Sequence, residues 1–184
     1  TSVDAYFLNG LDSNTVGTVD ATSVQSISGT LAELNTAHES NGISNLGDSV
    51  NEVAIPDDTS VDAYFLNGLD SNTVGTVDAE SISGVTGSIS DLGTAYTSSE
   101  IDNLGDSTET ATTTDGYTTA AALNTLDIQT GSATVDAESI SGVTGSISDL
   151  GTAYTSSEID NLGDSTETAT TTDGYTTAAA LNTL

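Results

Sequence analysis

The chain has 184 residues, among them 28 Asp and Glu, a single His and no Lys or Arg, which gives a formal charge of −28. Without cationic side chains it cannot displace counterions from phosphates, so nucleic acid and anionic lipid surfaces are not expected partners. No apolar run is long enough to insert in a membrane. Cysteine is absent, which excludes disulfides and thiolate metal sites.

The sequence repeats every 58 residues. TSVDAYFLNGLDSNTVGTVDA occurs at 1–21 and again at 59–79, and residues 76–116 are identical to residues 134–174. We therefore divide the chain into repeats at 1–58, 59–116 and 117–174, with a fourth beginning at 175–184. Folding constrains apolar positions and leaves the surface free, so identical blocks indicate recent duplication of tandem units, as in long modular proteins.

Each repeat is expected to alternate strands and helices. In chain order, SVDAYFLNGLD predicts a helix and VDA a short strand. SISDLGTAY places Ile89, Leu92 and Tyr96 at helical spacing, and SSEIDNLGD predicts a second short helical turn closed by Gly105. NEVAIPDD in the first repeat and TETATTTDG in the second predict strands, and TTAAALNTLD in the third predicts a helix.

A predicted inner face follows from the positions that stay apolar while the residues between them vary. Those of the first repeat are Val19, Ala21, Val24, Ile27, Leu31 and Leu34. Those of the second are Val77, Ala79, Ile82, Val85, Ile89 and Leu92, and those of the third are Val135, Ala137, Ile140, Val143, Ile147 and Leu150.

The predicted fold class is an α/β repeat. We expect an elongated solenoid in which short parallel strands stack and short helices cover one side, because no single piece can bury its apolar face alone. LAELNTAH echoes AYFLNGLD, so the elementary unit is expected to be about half of a repeat. A string of small 58-residue domains with mixed or β-rich packing is the alternative. The high charge also makes disorder of the isolated chain an alternative.

The sequence predicts that the protein is not an enzyme and binds no catalytic cofactor. His38 is the only residue suited to acid–base chemistry near neutral pH. Its equivalents are Tyr96 and Tyr154, so a ring that packs on the core explains the position better than a catalytic base. Carboxylates are so abundant that their pairing carries no information, and aromatic walls for a hydrolytic cleft are scarce.

Calcium is the metal that the oxygen-rich sequence favours. The first candidate ligands are Asp48, Asp106 and Asp164 of the NLGDS segments, and the second are Asp20, Asp78 and Asp136 of the VDA segments. Stacking would place each set in a column of negative charge that needs screening or a bound ion. Neither an EF-hand pattern nor a GGxGxD repeat is present, so a diffusely solvated acidic surface is the alternative.

Three stretches resemble repeats of giant acidic cell-surface and secreted proteins of bacteria, those of marine cyanobacteria above all. They are GTLAELNTAHESNGISNLGD, TAAALNTLD and NTVGTVDATSV. TLAELN is also similar to repeats of phage tail fibres. The resemblance implies an extracellular structural segment of a fibre, filament or surface layer. Its partners would be its own repeats or copies and divalent cations. The alternative is the stalk of an adhesin or phage fibre that presents a separate binding domain.

Overall fold

The computed structural model describes residues 1–105, 109–164 and 167–174, and within them short helices alternate with parallel strands. The helices are α1 (Ala5–Ser13), α2 (Leu31–Glu39), α3 (Ala63–Ser71), α4 (Ile89–Thr97), α5 (Ala120–Gln129) and α6 (Ile147–Thr155). The strands are β1 (Ser2–Asp4), β2 (Val19–Asp20), β3 (Ser26–Gly29), β4 (Ile43–Ser44), β5 (Val53–Pro56), β6 (Ser60–Asp62), β7 (Thr76–Asp78), β8 (Gly84–Gly87), β9 (Ile101–Asp102), β10 (Thr110–Thr113), β11 (Tyr117–Thr119), β12 (Thr134–Asp136), β13 (Gly142–Gly145), β14 (Ile159–Asp160) and β15 (Thr168–Thr171).

The chain forms two compact units. The first combines Thr1–Ser83 with Thr97–Leu104, and the second combines Gly84–Tyr96 with Gly105–Leu184. Both units contain parallel sheets in which strands that are distant in sequence lie side by side, and no closed barrel occurs among the described strands. The protein therefore belongs to the α/β class, as predicted.

The first unit is built on a parallel sheet with the strand order β1-β3-β5-β7-β9. One register line crosses it through Val3, Ile27, Ala54, Val77 and Ile101. Ile27 and Val77 on this line are fully buried, as is typical of parallel sheets. A smaller sheet pairs β2 with β4.

The second unit repeats this arrangement. Strands β14, β12, β10 and β8 lie side by side in that order, with a register line through Val85, Ala111, Val135 and Ile159. Strands β11, β13 and β15 form a three-stranded parallel sheet. The partners in a register line are roughly half of a 58-residue repeat apart, which agrees with the short elementary unit expected from the sequence.

Successive repeats share a sheet. In the first unit, β1, β3 and β5 come from the first repeat, whereas β7 and β9 come from the second. In the second unit, β10 ends the second repeat and pairs with β12 of the third. Within each unit, the last strand of one repeat is thus joined by backbone hydrogen bonds to a strand of the next repeat. We call the β5–β7 and β10–β12 contacts the repeat joints.

Asparagine side chains tie neighbouring helices together inside each unit. Asn9 Nδ2 of α1 donates to the Glu33 carbonyl of α2 at 3.0 Å, and Asn35 Nδ2 of α2 donates to the Phe65 carbonyl of α3 at 3.0 Å. Asn124 Nδ2 of α5 makes the same 3.0 Å bond to the carbonyl of Asp149 in α6. Because these bonds recur at equivalent positions, helix contacts are part of the repeat and not an accident of one copy.

Most predicted elements are confirmed, and one is wrong. The helices expected from SVDAYFLNGLD, SISDLGTAY and TTAAALNTLD and the strands expected from VDA and the repeat ends are present. SSEIDNLGD, however, forms strand β9 instead of a helical turn, because Ile101 pairs with Val77 and Asn103 adopts a φ of 65° that no right-handed helix allows. Strands β3, β8 and β13 were not predicted. Strands β1, β6 and β11 were also missed, because they take up the first residues of segments that were predicted as helices.

Candidate functional site

The acidic residues are used as hydrogen-bond acceptors for the backbone. Asp58 Oδ2 accepts the Leu31 amide at 2.5 Å, Asp115 Oδ2 accepts the Ile89 amide at 2.8 Å, and Asp173 Oδ2 accepts that of Ile147 at 2.7 Å. Each of these amides lies at a helix N-terminus, where the helix dipole favours negative charge. A chain without Lys or Arg thus compensates part of its charge with its own helices.

The VDA aspartates shape a turn. The Oδ1 atoms of Asp20, Asp78 and Asp136 accept the side-chain amides of Asn45, Asn103 and Asn161 at 2.9, 2.7 and 2.8 Å. These three asparagines have φ values of 63°, 65° and 63°. Bonds from the Thr22 hydroxyl, from Asn45 and from the Thr22 amide lower the pKa of the Asp20 carboxyl. One oxygen of each of these candidate calcium ligands therefore already has a structural role.

The other candidate ligands lie at the surface or outside the described residues. Asp48 and Asp164 are exposed, and Asp106 falls in the segment 106–108 that the structure does not describe. Among the described residues, no three Asp, Glu or His side chains form a group suited to a metal ion. Calcium binding stays a prediction.

A buried carboxylate that the sequence did not reveal lies beside His38. Glu52 is 1 % exposed, and its Oε1 lies 3.2 Å from His38 Nε2 while its Oε2 accepts the Gly47 amide at 2.9 Å. His38 Nδ1 lies 2.9 Å from the Leu34 carbonyl, so Nδ1 must donate. A proton is then also needed between Nε2 and Glu52 Oε1. The pair connects α2 to the residue that precedes β5.

The second repeat keeps the glutamate and replaces the histidine. Glu109 is 2 % exposed and accepts the Gly105 amide at 3.0 Å. Tyr96 stands in the place of His38, and its hydroxyl is buried with no hydrogen-bond partner among the described residues. Burial, and secondly the charge of Glu109, raise the pKa of the Tyr96 phenol. The equivalent rings thus differ in their contacts, since both nitrogens of His38 have polar partners and the Tyr96 hydroxyl has none among the described residues.

The raised pKa of Tyr96 predicts a loss of stability in alkali. The phenol ionises in the unfolded chain near pH 10 but resists ionisation in the folded chain. The stability that it contributes is therefore complete below about pH 10 and is lost as the pH rises further. We expect Tyr96→Phe to flatten the decline of the unfolding free energy between about pH 9 and 11, measured by urea titration at each pH. Equal declines for both proteins would contradict the burial of this hydroxyl.

The repeat joints have the same pattern of backbone hydrogen bonds in both units. In the first joint, the Val74 amide donates to the Gly47 carbonyl at 2.8 Å and the Thr76 amide donates to that of Glu52 at 2.9 Å. In the second joint, the corresponding bonds run from Ser132 to Gly105 at 3.1 Å and from Thr134 to Glu109 at 3.0 Å. Backbone atoms supply these contacts, so the joint does not depend on charged side chains.

Gly47 is required at the first joint for two reasons. Its φ is +76°, and a Cβ atom there would lie 2.6 Å from the Asn72 carbonyl oxygen of the next repeat. We expect Gly47→Ala to lower the free energy of unfolding by about 2 kcal/mol or more. Gly10→Ala is the matched control, because Gly10 lies in α1 with open space around it and the change should stabilise the helix by about 0.5–1 kcal/mol. Urea titrations with equal shifts for both variants would contradict this requirement.

A groove of about 450 Å3 between α2 and α3 is lined by Leu31, Asn35, Asp58 and Phe65 among others. Its Asp58 is the carboxylate that caps α2, and His38 is buried elsewhere. The exposed ring pairs Tyr6–Phe7 and Tyr64–Phe65 stack edge to face, with centroids 5.5 and 5.4 Å apart.

Comparison with known proteins gives no relative. We found no protein family, no curated protein and no solved structure that is similar to the chain. Over the described residues, no helix has the length and apolar character needed to cross a bilayer.

Proposed function

We propose that the protein is a structural segment of a long, repetitive extracellular fibre, filament or surface layer. The observation that carries this proposal is the repeat joint, in which one repeat supplies the last strand and the next supplies its neighbour. A joint of this kind adds repeats without altering any of them, which gives duplication of identical blocks a physical use. The joint that recurs in both units is thus a means of extension.

A solenoid is the architecture that this proposal requires. Parallel strands spaced by about 4.8 Å would then continue from repeat to repeat, and each 58-residue repeat would lengthen the molecule by about 10 Å. The sheet shared by successive repeats and the bonds between α1, α2 and α3 support this arrangement over a string of separate domains. The charge of −28 would keep neighbouring molecules apart until cations bridge or screen them.

The test of this function is immunogold labelling of the source cells with antibodies against the 184-residue chain. We expect label on extracellular fibres or on a surface layer, spaced along their length. Label confined to the cell interior would overturn the proposal. Label only at the base of a fibre with a different tip would favour the stalk of an adhesin or phage fibre.

Calcium binding is proposed with the same fibre. If the aspartates of the NLGDS and VDA segments hold calcium, CaCl2 should raise the melting temperature more than NaCl or MgCl2 does at equal ionic strength. Asp48→Asn and Asp78→Asn should each reduce that difference, whereas Asp91→Asn in α4 is the matched control. Equal effects of all three salts would favour simple screening of an acidic surface.

A further inference from the structure

Two smaller sheets among those described correspond to the two parts of a five-stranded sheet. The five-stranded sheet of the first unit joins three strands of one repeat to two strands of the next. Among the described strands, the sheet β11-β13-β15 contains only the three kinds of strand that the first repeat contributes to that five-stranded sheet. The sheet β2-β4 contains only the two kinds that the second repeat contributes. Placed side by side, these three strands and these two strands would make a complete five-stranded sheet.

The free edges of these two sheets, at β15 and at β2, have the same sequences as the strands that pair at the second repeat joint, β10 and β12. Strand β15 reads TATT, as does β10, and residues 18–20 read TVD, as do the residues of β12. At the second repeat joint, Thr110, Ala111 and Thr112 pair with Thr134, Val135 and Asp136. The same register would pair Thr168, Ala169 and Thr170 with Thr18, Val19 and Asp20, with no change of side chain.

Burial at both edges differs from that of the equivalent interior positions. Ala111 of β10 is fully buried, whereas Ala169 of β15 is exposed. Val77 and Val135 are fully buried, whereas Val19 is only half-buried. Leu11 is 54 % exposed, although its equivalents Leu69 and Leu126, each preceded by another repeat, are fully buried. Both edges thus expose apolar side chains whose equivalents at interior positions are buried.

We propose that copies of this chain join head to tail through these edges, with β2 of one copy adding in parallel to β15 of another. The inference rests on the proposed function and names its contact. The joined sheet would have the order β11-β13-β15-β2-β4, and Leu11 of the incoming copy would become buried. In a longer chain, a further repeat would make the same joint in cis, since residues 175–184 repeat the sequence of 117–126, which begins a repeat.

Salt should promote this association. Each copy carries a charge of −28, so two copies repel each other at low ionic strength. The joint itself consists of backbone hydrogen bonds and apolar side chains, which salt weakens little. At about 1 M NaCl the Debye length is about 3 Å, and repulsion between the copies is largely screened.

The experiment is sedimentation velocity of the full chain at low and high NaCl, with one variant for each half of the joint. The unchanged chain should form a ladder of oligomers that grows with concentration and salt. Leu11→Asp blocks the β2 half and Ala169→Asp blocks the β15 half. Each should weaken association about 30-fold or more, because a carboxylate would be buried without a partner. Ile128→Asp is the matched control, since Ile128 is 81 % exposed on α5 and the variant adds the same charge.

Mixing the two variants separates this joint from any other contact. Leu11→Asp keeps an intact β15 half and Ala169→Asp keeps an intact β2 half, so an equimolar mixture should form dimers and nothing longer. Val19→Asp is a second variant of the β2 half in case Leu11→Asp lowers the melting temperature. A chain that stays monomeric at high salt would overturn the proposal, as would a mixture that stays monomeric or an Ala169→Asp chain that associates normally. Those results would leave the proposed function standing if added repeats still lengthen the single molecule.

Discussion

Leu92→Asp is expected to unfold much of the protein. Leu92 lies in α4 and is fully buried, as are its equivalents Leu34 and Leu150. Truncation of such a leucine to alanine costs about 2–5 kcal/mol, and a carboxylate adds the cost of burying a charge for which the chain has no Lys or Arg partner. The total exceeds about 5 kcal/mol, which is comparable with the whole stability of a typical domain.

Urea denaturation and hydrogen exchange would measure this effect. Because each repeat contacts its neighbours, loss of protection should begin in α4 and extend to the adjoining strands. Ile128→Asp is the matched control, with the same charge added at an exposed helical position and an expected change within about 0.5 kcal/mol. An unchanged melting curve for Leu92→Asp would show that the proposed inner face is not the core.

Glu52→Ala is expected to have a smaller but still large effect. The substitution removes the acceptor of the Gly47 amide and the partner of His38 Nε2, and both groups are buried. Breaking a buried pair by removal of one partner costs about 3–5 kcal/mol. The loss should appear as a shift of the urea midpoint, with a slope that does not change.

Glu52→Gln is the control for this prediction. The amide keeps the shape of the side chain and one acceptor oxygen, so the Gly47 bond can survive. We expect a clearly smaller loss than for Glu52→Ala. Equal losses would mean that the charge, and not the hydrogen bonds, holds this site together. No loss in either variant would contradict the burial of Glu52.

The class of the fold could be predicted from the sequence because apolar residues repeat where polar ones vary. Leu34, Leu92 and Leu150 are fully buried, and the helices that contain them lie where helical spacing predicted them. Strands β5 and β10 were also predicted, from their Val and Thr content. Positions that stay apolar in every repeat therefore indicate the core.

The remaining features depend on contacts that a single sequence does not display. Strand β8 reads GVTG, and its flanking glycines are typical of a turn, yet Val85 is fully buried and pairs with Ala111 of β10. The segments that precede Glu52 and Glu109 in their repeats differ in length. A comparison at a fixed offset of 58 residues therefore does not align the two glutamates, and the sequence does not reveal their shared role. Asn45 and Asn103 have positive φ, a conformation that asparagine tolerates and that their bonds to Asp20 and Asp78 stabilise.

Small-angle X-ray scattering of lengthened chains would test the central claim most directly. Inserting one, two or three further copies of the block 76–133 keeps every joint in register, and Leu11→Asp would suppress association between molecules. A solenoid predicts that the maximum dimension grows by about 10 Å for each inserted block. Independent 58-residue domains would each add about 25 Å or more, because that is the diameter of a compact domain of this size. Growth of the second kind would contradict the shared-sheet arrangement and favour a string of small domains.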